Sequence, residues 1–234
     1  MNCSPLERPS GFWWGYFLPR GETMPSKSDA KETIAFFDGQ NLFYAAKEAF
    51  GYPFPNYDPE KLAKTICATH GWSLAKICFY TGIPDETADP GRHGFWTMKL
   101  AAMGTRGIET FSRRLRYRNQ LAKLPNGTIA TVQVGQEKGV DVRIALDVVR
   151  MALEERYDVA LIFSQDQDLS EAVDDVKRIS GLKKRWIKVA CAYPFSPTYG
   201  NKRGINGTDW IKIDKKLYDS CVDPVDYRPK KTRS

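Results

Sequence analysis

An α/β domain built on a doubly wound parallel sheet, with helices on both faces and an inserted β-hairpin, is the fold this sequence predicts. Three observations carry that reading. Short unbroken apolar runs, such as residues 33–37, suit strands buried on both faces rather than on one. Between those runs lie segments with helical spacing, so strands and helices alternate along the chain. One polar, basic stretch interrupts the alternation around Pro125-Asn126-Gly127, and Asn-Gly between residues of strand type marks a hairpin.

The elements follow in order. The first strand stops at Asp38-Gly39, and residues 41–50 have helical spacing and end at Gly51. Asp58-Pro59 supplies a cap and a first-turn proline for a helix over 60–70. Residues 74–80 read as a second buried strand, closed by a turn over 82–85 and followed by a helix over 94–103 that ends at Gly104. Residues 108–115 alternate as a third strand, and the hairpin lies between Tyr117 and Val134. Apolar residues at 140, 144, 148 and 151 form one stripe of a helix over 140–152. A strand over 159–163, a loop over 164–168, a helix over 169–179 ending at Gly181 and a last strand over 186–192 complete the pattern. In sheets of this kind ligands bind in the crevice beyond the carboxyl ends of the strands.

The chain has 234 residues, enough for one core, and one domain is expected over residues 31–225, most securely over 32–193. Residues 1–30 read as a poorly ordered leader: the aromatic run at 11–18 is too short to span a bilayer and has no signal-peptide framing, and Met24 is a candidate second start. Residues 226–234 read as a solvated basic tail. With 42% apolar and 27% charged residues the composition is that of a soluble protein, with no membrane partner expected. Five scattered cysteines form neither a disulfide framework nor a zinc ribbon and point to the reducing cytoplasm. The net charge of +7 favours a polyanionic partner, while homo-oligomerisation stays open.

Aspartates mark the expected working edge. Asp38 follows the first strand, Asp166 and Asp168 follow the strand over 159–163, and Asp141 opens a helix. Each has an ordinary structural use, as a turn, a helix cap or a loop residue. Together they place carboxylates from three segments at one end of the sheet, where mutual repulsion requires a counter-charge. Oxygen ligands without cysteine or histidine favour Mg²⁺ or Mn²⁺. Asp147 lies six residues after Asp141, about 240° around the helix, so the two do not share a face.

The motifs F-F-D-G-Q-N-L (36–42), E-K-G-V-D-V (137–142) with Asp147 following, and F-S-Q-D-Q-D-L (163–169) resemble the NYN domain, which includes LabA-like bacterial proteins and belongs to the PIN-like nucleases. The resemblance spans roughly residues 32–193. It implies a doubly wound α/β fold and metal-dependent cleavage of RNA, that is, an endoribonuclease. Asp38, Asp141 and Asp166 match the metal-binding acidic positions, and Asp168 the second acid of S-x-D-x-D. Asn41 matches the family's asparagine and Lys138 its basic position before the glycine; Ser164 and Asp147 are supporting residues. Gln165 stands where the family often has glycine, and its side chain is expected to narrow the approach to Asp166.

These positions suggest that Asp38, Asp141 and Asp166 hold the ion or ions, that Asp168 ligates through water or positions the attacking water, that Asn41 orients a carboxylate or the phosphate, and that Lys138 meets a phosphate. Residues 111–136 hold Arg113, Arg114, Arg116, Arg118 and Lys123 but no acid. Interleaved with Phe111 and Tyr117, these arginines suit single-stranded RNA, although a solvated strand face is the plain alternative. The rival reading is a catalytically impaired PIN-like module that binds RNA or protein. A haloacid-dehalogenase-like phosphatase would need a second aspartate where Gln40 stands.

Overall fold

The computed structural model describes residues 30–123 and 127–229 and centres on β1 (Lys31–Asp38), in which residues 33–38 are all buried. The other strands are β2 (Trp72–Ile83), β3 (Glu109–Arg114), β4 (Arg116–Lys123), β5 (Ile129–Gln136), β6 (Val159–Phe163), β7 (Lys188–Pro194) and β8 (Asp209–Ile213). The helices are α1 (Gly39–Phe50), α2 (Pro59–Thr69), α3 (Pro90–Thr105), α4 (Val140–Leu153), α5 (Ser170–Lys183) and α6 (Lys215–Ser220), with a 3₁₀ turn at Gln167–Leu169.

Among the described residues six strands form one sheet in the order β3-β2-β1-β6-β7-β8, and every neighbouring pair is parallel. The chain winds outward from β1 through β2 to β3, returns to β6 beside β1, and winds outward again through β7 to β8. Strand order therefore reverses between β1 and β6, and at such a reversal the flanking connections leave to opposite faces and open a crevice.

Alternation along β1 explains its unbroken apolar run. Ala35 and Phe37 face a core shared with Leu42, Leu62, Ile66, Trp96 and Met103, from α1, α2 and α3. Ile34 and Phe36 face the opposite core, with Ile144 and Val148 of α4 and Val173 and Val176 of α5. Phe37 stacks on Phe163 of β6 at 3.9 Å between ring centroids, clamping the two strands at the reversal. Truncating a phenylalanine buried so completely costs about 3–5 kcal/mol.

The hairpin is present as an antiparallel pair, with Arg116 opposite Gln136 and Lys123 opposite Ile129. Its tip, residues 124–126 with Pro125-Asn126, lies outside the described residues, as do the expected leader through residue 29 and the end of the basic tail. Arg228, in the expected basic tail, is exposed, lies over the Phe54 ring at 4.3 Å and pairs with Asp226 at 2.6 Å.

Several boundaries differ from the sequence expectations. The strand expected to be last is followed by β8 and α6. Asp89 caps α3 by accepting from the Arg92 N–H, with Pro90 in the first turn, so that helix starts four residues before Gly94. Gly181 does not end α5, which runs on to Lys183 and closes on Lys184 in the left-handed conformation at φ 48°. Cys67, Cys78, Cys191 and Cys221 are free and buried. No helix among the described residues is long and apolar enough to cross a membrane.

Candidate metal centre

The carboxyl ends of β1 and β6 meet at the strand-order reversal, and the acidic residues gather there. Asp38 ends β1 and also caps α1, its Oδ1 accepting from the Asn41 N–H at 3.0 Å. Gly39 is required between them by close approach: a Cβ would lie 2.7 Å from the Phe79 ring and 3.0 Å from the Tyr80 carbonyl oxygen. Capping and site placement are therefore one arrangement at Asp38.

Ser164, directly after β6, joins the two strand ends. Its hydroxyl donates to Asp38 Oδ2 at 3.2 Å and accepts from the Asp166 N–H at 3.1 Å. Asn41 strengthens the tie, its side-chain oxygen accepting from the Gln165 N–H at 2.8 Å. The Asn41 side chain thus holds the loop after β6. Gln165 turns away from the expected approach path: its amide donates to the Asn201 and Arg203 carbonyls at 2.9 and 2.7 Å, so it anchors the segment before β8. Asp166 in turn accepts from the Asp168 N–H at 3.0 Å, which starts the 3₁₀ turn.

Asp141 enters from α4. Gly139 precedes that helix with φ 73° and no side-chain cap, so the helix's first N–H groups have no side-chain acceptor at the cap and their positive end favours the nearby carboxylate. One oxygen each from Asp141, Asp166 and Asp168 lie within 4.8 Å of one another. Hard cations bind oxygen at about 2.0–2.6 Å, so oxygens on opposite sides of one ion stand about 4–5 Å apart, and this trio fits a single divalent ion. Asp38 is not part of the trio but lies close enough to feel the charges of Asp166 and Asp141.

Burial dominates the electrostatics. Asp38 is only 4% exposed, and desolvation lifts its pKa to about 6 against the bonds from Asn41 and Ser164, with the negative charges of Asp166 and Asp141 adding to the rise. Glu137, which the sequence reading passed over in favour of Lys138, joins the same neighbourhood. Burial and the charges of Asp38 and Asp141 push its pKa up to about 7, opposed by a bond from the Gly82 N–H. Gly82 is again a close approach, since a Cβ there would stand 2.5 Å from Leu115 and 2.6 Å from the Glu137 carboxylate. The available signal was an acid directly after β5, at the head of the 137–142 motif.

Asp147 is not brought to this cluster. It accepts from Tyr80 at 3.0 Å, from Arg143 at 2.8 Å and from Arg150 at 3.0 Å, a buried carboxylate held against the sheet. Lys138 is exposed beside Gly139. Arg113 lies against Gly139, where a Cβ would be 2.6 Å from its guanidinium, and it also covers the Phe111 ring at 5.4 Å. Arg114, the next residue in β3, faces the opposite side of the sheet by strand alternation. Arg116 and Arg118 share one face of the hairpin, and Arg118 bonds Gln136. Among the described contacts of these arginines, only that of Arg113 reaches the start of α4.

A doubly wound α/β domain that gathers aspartates at its strand-order reversal has the architecture of the PIN-like class. Residues 32–186 match the NYN domain model, and the chain belongs to the NYN domain family, within the PIN-like superfamily of nucleases. No curated protein matches the chain. Among solved structures it is similar to VPA0982, a protein of unknown function from Vibrio parahaemolyticus RIMD 2210633. The identity is 21% over 82% of this chain and 98% of that one, with a TM-score of 0.48. It is more distantly similar to Acinetobacter baumannii MurG, at 8% identity over 78% of this chain and 45% of that one, with a TM-score of 0.30. Neither likeness carries a functional argument.

Proposed function

We propose that the protein is a metal-dependent endoribonuclease that hydrolyses phosphodiester bonds of single-stranded RNA with Mg²⁺ or Mn²⁺. The observation that supports this most directly is the convergence of Asp141, Asp166 and Asp168 within 4.8 Å at the strand-order reversal of an NYN domain. A divalent ion held there would polarise the phosphoryl oxygens and make a water acidic enough to attack at neutral pH.

The chain's own residues divide the remaining work. Asp141, Asp166 and Asp168 hold the ion. The sequence reading placed Asp38 among the direct ligands and Asp168 one water away; the three oxygens within 4.8 Å of one another come from Asp141, Asp166 and Asp168. Asp38, whose charge reaches Asp141 and Asp166, fixes Ser164, and the Ser164 hydroxyl in turn accepts from the Asp166 N–H. The uncapped N–H groups of α4 lie beside Lys138 and Arg113, a combination suited to a substrate phosphate. Glu137 lies at the junction of this centre with the hairpin.

The test is incubation of the purified protein with labelled single-stranded RNA in Mn²⁺ or Mg²⁺, with and without chelator, beside Asp38→Asn and Asp166→Asn variants. Chelator-sensitive cleavage, reduced at least 100-fold in Asp166→Asn, is expected on the scale of lost electrostatic stabilisation. RNA binding that persists in every variant with no cleavage by the wild type overturns the enzyme and favours a binding module. Neutralising Arg113 should lower the salt slope of RNA binding by about one unit; an unchanged slope removes it from the phosphate contacts.

A further inference from the structure

On the face of the sheet covered by α1 and α3, a cleft of about 570 Å³ opens between those helices and the hairpin. Its volume lies in the range of small-ligand pockets, roughly 300–1,000 Å³. Aromatic rings come to it from four chain segments: Tyr44 from α1, Phe54 from the loop before α2, Trp96 from α3 and Tyr117 from β4. Ordinary core packing would bury them all. Trp96 is indeed buried, forming the floor, but Tyr44 remains 50% exposed at the mouth. Tyr117 is held in place by its hydroxyl, which accepts from the Asp85 N–H at 3.0 Å.

The polar groups of the cleft match the rings. Arg92 stands exposed at the rim, in an exposed ion pair with Asp89 at 3.5 Å, and Gln40 offers an amide that can both donate and accept. Gln40 also connects the cleft to the acidic centre. It lies two residues after Asp38, its amide donates to the Gly82 carbonyl at 3.2 Å, and the Gly82 N–H donates to Glu137. The wall of the cleft is thus continuous with the carboxylates. Flat rings, an amide and a guanidinium beside a phosphodiester-cleaving centre, on a chain of net charge +7, are what unpaired bases on a phosphate backbone require.

We propose that this cleft is a subsite for one or two unpaired nucleobases of the strand cut at the acidic centre, with Tyr44 stacking on a base and Arg92 meeting an adjacent phosphate. The proposal rests on the nuclease reading for the identity of the strand. It also gives a physical reason for single-strand preference, because a paired base cannot present its face to Tyr44.

The test measures binding of the full chain in chelator, so that no cleavage occurs, by fluorescence anisotropy. The probes are a labelled unstructured ten-nucleotide RNA and the same oligomer with abasic residues. Wild type is expected to bind the base-bearing RNA more tightly. Tyr44→Ala should weaken that binding about 5- to 100-fold, the range found for single stacked bases, while leaving the abasic oligomer unaffected. Tyr44→Phe, which keeps the ring, should restore it. Equal affinity of wild type and Tyr44→Ala for the base-bearing RNA overturns the subsite, as does an equal loss on both oligomers. If wild type then cleaves RNA in Mn²⁺ in a chelator-sensitive way, the nuclease reading survives that failure. Conversely, ring-dependent binding by a protein that cleaves nothing sustains the subsite and removes the nuclease. Failure to bind either oligomer overturns the subsite, and absence of cleavage in Mn²⁺ as well overturns the nuclease.

Discussion

Ser164 and Asp38, 126 residues apart in the chain, are joined by a 3.2 Å bond from hydroxyl to carboxylate, and the same hydroxyl receives the Asp166 N–H. One side chain thus sets the spacing of two acids. Ser164→Ala should leave Asp38 with one fewer donor in a buried site and cost about 1–3 kcal/mol of stability. Metal-dependent cleavage should fall at least tenfold, because Asp166 loses its anchor. Thermal melts together with cleavage rates check both; unchanged cleavage in a folded variant would show that the loop holds its shape without this bond.

Glu137 makes the metal-free protein less stable as pH rises from acid to neutral. Its carboxyl is lifted from 4.5 to about 7, first by burial and then by Asp38 and Asp141. A raised carboxyl means that the folded chain binds more protons than the unfolded one across that interval. Stability is therefore fully present below about pH 4.5 and declines as pH rises toward about 7, by on the order of 3 kcal/mol. Glu137→Gln removes the ionisation and should raise Tm in chelator at pH 8 but not at pH 4. A variant that melts below wild type at pH 8 would mean that the bond to Gly82 outweighs the charge.

Divalent ions should stabilise the fold by relieving the same repulsion. An ion at 100 times its Kd adds about 2.7 kcal/mol, which is several degrees of Tm in a domain of this size. Mn²⁺ titration followed by differential scanning fluorimetry should show this increase in wild type and its loss in Asp166→Asn. An equal increase in both proteins would place the ion elsewhere.

Lys99 and Asp223 form a buried pair at 3.2 Å, with side chains 1% and 4% exposed. The Lys99 ammonium also donates to the Tyr57 carbonyl at 2.9 Å, fastening the segment after α6 to the α3 side of the sheet. Removing one partner strands the other, so Asp223→Ala should cost about 3–5 kcal/mol. Denaturant unfolding measures it, and a loss below about 1 kcal/mol would show that water or another acceptor takes over.

The parallel sheet was legible because strands buried on both faces carry unbroken apolar runs, which residues 33–37 and 159–163 display. The edge was not: β8 has exposed Asp209 and Lys212 and only one buried residue, Ile213, leaving little pattern to read. Asp89-Pro90 carries the same cap-and-proline signal as Asp58-Pro59 and would have placed the start of α3 correctly. Strand-end position singled out the aspartates, but position cannot rank distances, so it does not reveal that Asp168 stands with Asp141 and Asp166 in the close trio. Glu137 escaped because it enters the site only through the return path of the hairpin, which no local periodicity encodes.

Because the acids come from both halves of a chain that doubles back on itself, no shorter piece can assemble them. A growing polypeptide that has emerged only as far as β3 owns Asp38 alone, and the other three aspartates arrive with α4 and the turn after β6. A half-made copy thus lacks the acidic trio by construction, and the centre exists only once the second half of the sheet has docked.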